Sequence, residues 1–306
     1  MCHGAIWGMA AEQALPTTPS LVSFAFTLSR FRFWIYTGGT YVVGFALGMG
    51  GWAAFFHTEY YVYLLYFFFP ANVLIYGVND YWDEATDRLN PKKQGKEQLI
   101  AGGDRRRTLV LLGLTGGLSF LLLLTQDLVA RLIFLCFLFL AVFYSAPPLR
   151  FKNIPVLDFS SNMLYIMPGI FGFSLASGSL PPWIFVLAGF LHISAMHIYS
   201  AVPDIEFDRQ AGITTTSVWI GKKRALLLCL VFWGCFAMIV LSLTDFFPLG
   251  LLVLLYPLFP FLGLVRSDIP VEELYWYLPY LNAALGGLLF TAVTLSKMPP
   301  SFPPFF

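Results

Sequence analysis

The amino-acid sequence predicts an all-α, polytopic membrane protein with nine transmembrane helices. Three observations predict it. The 306-residue chain is 58% hydrophobic and only 11% charged, with a mean hydropathy of +0.73, a composition that ordinary soluble domains do not have. Apolar runs of the roughly 20 residues needed to cross a bilayer recur along its length. Sixteen of the eighteen Lys and Arg residues fall on one side of the topology these runs define, the bias expected of a cytoplasmic face.

The nine windows are 33–55, 60–78, 108–126, 129–145, 156–178, 182–202, 223–243, 246–265 and 273–295. The first follows Arg30 and Arg32. The second runs into an acidic segment, and the 79–107 connection after it carries seven basic residues. The fourth ends at Pro147 and Pro148, which stop a helix and leave Arg150 and Lys152 in the mouth beyond it. The sixth ends at Pro203, and Arg209, Lys222, Lys223 and Arg224 follow. The eighth ends at Arg266, while Arg131 and Lys297 lie on the opposite side. This places the N-terminus in the cytoplasm and the C-terminus outside. Residues 1–306 read as one integral-membrane domain, with a short cytoplasmic segment at 1–31 and a Pro-rich tail at 297–306.

Net charge is +1, so no global basic field points to nucleic acid. Cys136, Cys229 and Cys235 lie in apolar runs and read as small buried thiols; with Cys2 they form no zinc or disulfide spacing. The N-terminus shows no cleavable signal pattern.

Negative charge is concentrated instead. Seven of the 17 acidic residues are Asp80, Asp83, Glu84, Asp87, Asp204, Glu206 and Asp208. On a helix, Asn79, Asp83 and Asp87 recur at i, i+4 and i+8 and line one face, with Asp80 beside it. Asp204 and Asp208 form a second i, i+4 pair. Carboxylates this close repel unless a cation intervenes. Mg²⁺ suits them, since it is bound by one or two carboxylates together with substrate phosphates. For a single DxxD, a solvated helix end is the better explanation. Two clusters at the same membrane edge favour the functional reading.

A diphosphate also needs positive charge. Lys92, Lys93 and Lys96 follow the first cluster, and Arg150 and Lys152 follow the fourth helix; plain loop charge is the competing reading for the last two. Arg105, Arg106 and Arg107 read as topological charge. Tyr144, His197 and Tyr199 are candidates for a pocket that faces a carbocation. For His197, a satisfied buried histidine is the competing reading.

These segments together resemble the UbiA-type intramembrane prenyltransferase superfamily. NDYWDEATD (79–87) resembles its NDxxDxxxD motif, YSAPPLRFK (144–152) its YSxPPLRxK segment, and DIEFDRQAGITTTSVWIG (204–221) its second aspartate motif. The resemblance implies a nine-helix bundle around a central cavity and transfer of an allylic prenyl group from a diphosphate to a lipophilic acceptor. It implies that Asn79, Asp80, Asp83, Asp87, Asp204 and Asp208 bind Mg²⁺–diphosphate, and that Arg150 and Lys152 neutralise the leaving group. The family's Lys-Arg-Pro-Leu segment is replaced by Lys96-Glu-Gln-Leu99, and a basic residue before the second motif by Pro203. The string 195–205, AMHIYSAVPDI, is similar to the lycopene elongase branch, whose acceptor is a linear carotenoid. A quinone- or chlorophyll-pathway acceptor is the alternative within the family. No Lys or Arg lies deep within a window, which favours a neutral acceptor over an aromatic acid. A cation-coupled transporter is the alternative from another class; it would place its carboxylates near the midplane rather than at one edge. A non-catalytic lipid-binding scaffold is a third.

Overall fold

The computed structural model describes residues 20–87, 104–244, 249–266 and 270–299, with no description of the side chains of 85–87. Lys92 and Lys96 therefore lie outside the described residues, and of Asp87 only the backbone is described. The helices are α1 (Leu21–Leu28), α2 (Gly38–Gly48), α3 (Thr58–Phe68), α4 (Pro70–Asp87), α5 (Arg105–Leu124), α6 (Leu128–Phe143), α7 (Leu157–Ser160), α8 (Met167–Ser177), α9 (Trp183–Ala201), α10 (Ile205–Gln210), α11 (Thr216–Ile220), α12 (Lys222–Leu243), α13 (Leu255–Val265), α14 (Val271–Tyr275) and α15 (Leu278–Ser296). No strand occurs among the described residues. Among the described residues, five helical stretches are long and apolar enough to cross a membrane: Thr58–Glu84, Arg105–Leu124, Trp183–Gln210, Lys222–Leu243 and Val271–Ser296. The protein is an all-helical integral membrane protein.

Every apolar window contains helix, but several are broken, and three of the breaks fall at a proline. The second window bends at Phe69, ahead of Pro70. Proline lacks the N–H that would continue the ladder. At the break, the carbonyl of Phe67 accepts from Thr37 Oγ1 at 2.7 Å and Asn72 Nδ2 at 3.0 Å, and that of Phe68 accepts from Asn72 Nδ2 at 3.0 Å. Thr37 and Asn72 are fully buried, as expected for polar side chains that re-satisfy backbone within hydrocarbon. The fifth window divides into α7, a 3₁₀ turn at Ser161–Tyr165, and α8, which begins just before Pro168. The sixth gives way at Pro203 to a 3₁₀ turn, Val202–Asp204, so the helical register between His197 and Asp204 is interrupted as the sequence suggests.

Two cores flank a seam. One packs aromatic residues of α2, α3, α6 and α8, including Tyr41, Phe45, Tyr63, Phe67, Phe134 and Phe171. The other packs α9, α12 and α13 around Tyr199, Trp233 and Tyr256. Phe33 and Tyr165 pack against both cores and so mark the seam between them.

Helices α2 and α8 meet backbone to backbone. A Cβ added at Gly44 would lie 2.0 Å from the Gly169 carbonyl oxygen, and one at Gly48 would lie 2.5 Å from that of Phe173. Small residues spaced this way let membrane helices approach closely where the hydrophobic effect between helices is absent. At the far end of α2, Lys297 Nζ donates to the carbonyls of Ala46, Leu47 and Met49 at 2.7–2.9 Å, supplying a cation and donors to a helix C-terminus.

Candidate active site

The first acidic motif rides on the last turns of α4. Asn79 and Asp83, one turn apart, face the loop that follows α6. Asn79 Nδ2 donates to Ser145 Oγ at 2.9 Å. Asp83 Oδ1 accepts from Arg150 Nη2 at 3.1 Å, and Asp83 Oδ2 is ion-paired with Lys152 Nζ. The shared face expected from i, i+4 spacing is thus present, and it is turned toward two cations. Asp80, beside that face, pairs with Arg30 Nη2 at 2.7 Å, and the Arg30 guanidinium lies over the Tyr76 ring at 4.9 Å. Asp80 and Asp83 are 8% and 6% exposed, so their charges depend on these partners.

The loop is itself tightly held. Arg150 N donates to the Ala146 carbonyl at 3.0 Å and Lys152 N to that of Tyr144 at 3.1 Å. Arg150 adopts a left-handed backbone conformation, φ 41°, which turns the chain so that both basic side chains return to Asp83. The stop signalled by Pro147 and Pro148 therefore does more than end a helix.

The second acidic motif begins at the end of the 3₁₀ turn. Asp204 and Asp208 are half-buried and occupy the i, i+4 positions of the turn and α10. Glu206 is exposed and pairs with Arg209 at 2.8 Å. The two motif regions are linked through the residues between them. Tyr144, in the loop that holds Asp83, stands edge-on to His197 of α9 at 6.3 Å, and lies within electrostatic reach of both Asp83 and Asp158. His197 Nε2 lies 4.0 Å from Asp158 Oδ2. Asp158 in turn accepts from Thr216 N at 2.7 Å and Thr216 Oγ1 at 2.5 Å, at the start of α11. Beneath them the seam is lined by Phe33, Tyr36, Tyr76 and Tyr165; the Tyr76 and Tyr165 hydroxyls are 3.3 Å apart. Tyr199 stands apart, fully buried against Trp233 and Phe259.

Sequence reasoning did not single out Arg30, Ser145, Asp158, Tyr165 or Thr216. A signal existed for Asp158: it is the one acidic residue in the 156–178 window, and an ionisable group in an apolar window is a functional hypothesis by default. Nothing local announced Arg30, whose partner is 50 residues away.

The donor set is hard oxygen and fits Mg²⁺. Among the described residues no three His, Cys, Asp or Glu side chains are grouped closely enough to hold a metal by themselves. Mg²⁺ is usually bound by one or two carboxylates together with phosphate oxygens and water.

Comparison with known proteins agrees with the geometry. The sequence model of the UbiA prenyltransferase family matches residues 37–285. A lycopene elongase/hydratase of Haloferax volcanii is 40% identical over 86% of this chain and 85% of its own length; that of Haloarcula japonica is 37% identical over 93% and 95%. Among solved structures, a UbiA homolog from Archaeoglobus fulgidus bound to GPP and Mg²⁺ superposes with a TM-score of 0.68 at 22% identity, over 89% of this chain and 99% of that one. The apo UbiA homolog of Aeropyrum pernix gives 0.67 at 19%, over 87% and 98%. The structural likeness shows the fold, and the sequence likeness shows the family. The chain belongs to the UbiA prenyltransferase family as an integral membrane prenyltransferase, and its sequence sides with the lycopene elongase branch.

Proposed function

We propose that this enzyme transfers an allylic prenyl group, Mg²⁺-dependently, from a short prenyl diphosphate such as dimethylallyl diphosphate to a linear carotenoid such as lycopene. The single observation that carries the diphosphate half is the convergence of Asn79 and Asp83 on Arg150 and Lys152 above an aromatic seam. The acceptor half rests on the likeness to lycopene elongase/hydratases. The whole chain acts as one domain of nine spans, with the mouth and N-terminus cytoplasmic and the C-terminus outside.

In this reading Asp83, Asp87, Asp204 and Asp208, with Asn79 and Asp80 beside them, hold the metal. Bound Mg²⁺ supplies Lewis-acid stabilisation of the charge that develops on the departing diphosphate. Arg150 and Lys152 release Asp83 in part and hydrogen-bond the diphosphate oxygens, with Lys92 and Lys96 as further contacts. Because these cations are already placed by the loop, little reorganisation accompanies C–O cleavage. Tyr144, Tyr165 and Tyr76 turn ring faces and edges to the allylic cation, and Tyr144 and His197 border the acceptor. The closed, apolar walls keep bulk water from the cation. The acceptor's π-bond attacks it, forming the new C–C bond.

Acceptor competition tests this. Purified enzyme given labelled dimethylallyl diphosphate, Mg²⁺ and an equimolar mixture of lycopene and 4-hydroxybenzoate is expected to put the label on lycopene. Label on 4-hydroxybenzoate alone would overturn the carotenoid reading and favour a quinone-pathway acceptor.

A further inference from the structure

One ring and one carboxylate beside the seam take no part in holding metal or diphosphate. The Nε2 atom of His197 is buried and has no hydrogen-bond partner; Asp158 Oδ2 stands 4.0 Å from it. The His197 side chain is 16% exposed and stands edge-on to Tyr144. Asp158 is only 1% exposed and cannot turn away, because Thr216 holds both of its carboxylate oxygens. Thr216 Oγ1 also accepts from Val156 N at 2.7 Å, which ties the carboxylate to two segments of backbone. A buried polar atom without a partner needs an explanation, and here a fixed carboxylate stands beside it.

The proposed reaction leaves one proton unaccounted for. Cleavage of the C–O bond sends its electron pair away with the diphosphate. Attack by a neutral π-bond makes the C–C bond and leaves a cation on the acceptor. That cation is discharged in one of two ways. The neighbouring carbon loses a proton to give an alkene, or water adds and its oxygen loses a proton to give an alcohol. Either way a single proton must be taken up inside a dry pocket.

We infer that His197 accepts this proton and that Asp158 is the positioning residue that makes it able to. With its own hydrogen on Nε2, directed at Asp158, the neutral imidazole offers the Nδ1 lone pair to the substrate. After transfer both nitrogens carry hydrogen, and the pinned carboxylate offsets the new positive charge. The inference rests on the reading of a neutral polyene acceptor given above.

The test follows label and diphosphate together. Wild-type protein, His197→Gln and Asp158→Asn are given labelled dimethylallyl diphosphate, Mg²⁺ and lycopene. Released diphosphate and prenylated lycopene are measured in the same samples. In His197→Gln, diphosphate release and donor KM should be unchanged. Prenylated lycopene per diphosphate should fall about 10²-fold: with no acceptor for the proton the new C–C bond re-opens, and water that enters as the site opens captures the allylic cation as the free prenyl alcohol, its proton passing to the released diphosphate. Asp158→Asn keeps an oxygen for Thr216 N and should lower the same ratio about tenfold, again through kcat and not donor KM. It carries the test if the His197 variant does not fold. An unchanged ratio in both variants would overturn the inference and assign the proton to diphosphate or water. Loss of diphosphate release in both would overturn it too, making the pair scaffold. Wild-type protein that makes no prenylated lycopene would overturn the polyene reading itself, whereas an active wild type with an equally coupled His197→Gln overturns only this inference.

Discussion

Asp83→Asn is expected to lower kcat/KM for prenyl transfer about 10³-fold, or about 4 kcal/mol of transition-state stabilisation. The substitution is nearly isosteric, so packing of α4 is kept. What it removes is the charge that Arg150 and Lys152 share and that a divalent metal would bind. The loss should appear in kcat. With the countercharge gone, the two cations remain able to attract a diphosphate, so donor affinity should hold or tighten. Steady-state kinetics with a labelled donor separate these. A folded Asp83→Asn protein with wild-type, Mg²⁺-dependent turnover would remove Asp83 from the site.

Gly44→Ala is expected to abolish the folded protein. The added methyl falls 2.0 Å from the Gly169 carbonyl oxygen, which is backbone of α8 and has no rotamer to yield. Overpacking a core typically costs about 1–3 kcal/mol where side chains can shift; here two helices must separate, and the cost should exceed that range. Gly116→Ala is the control, since nothing lies within 4 Å of a Cβ there, and alanine is the better helix former. Size-exclusion profiles and thermal melts in detergent should show Gly44→Ala lost or aggregated and Gly116→Ala at least as stable as wild type. Equal behaviour of the two would mean that α2 and α8 do not pack in this way.

Much of the candidate site's geometry was legible because it is local. Helical spacing alone put Asn79 and Asp83 on one face, and the Pro147-Pro148 stop put Arg150 and Lys152 beyond the end of α6. The interruption at Pro203 was equally local. Long-range pairings were not legible. Asp80 meets Arg30 and Asp158 meets Thr216 across 50 and 58 residues, distances over which spacing carries no information. Hydropathy windows also blur breaks: 33–55 reads as one span, whereas α2 covers only Gly38–Gly48 between two 3₁₀ turns. The window average counts apolar side chains and is blind to backbone geometry. The backbone contact of Gly44 with Gly169 belongs to the same class, since glycines mark permission for close approach without naming the partner.

The most direct measurement is a single reaction followed with and without metal. Purified wild-type enzyme in lipid is given labelled dimethylallyl diphosphate and lycopene, in Mg²⁺ or in excess chelator, and diphosphate and labelled polyene are quantified over time. Equal amounts of the two products are expected in Mg²⁺ and neither in chelator. Prenylated lycopene formed at the same rate in chelator, or metal-dependent diphosphate release that never places label on the polyene, would contradict the proposed reaction.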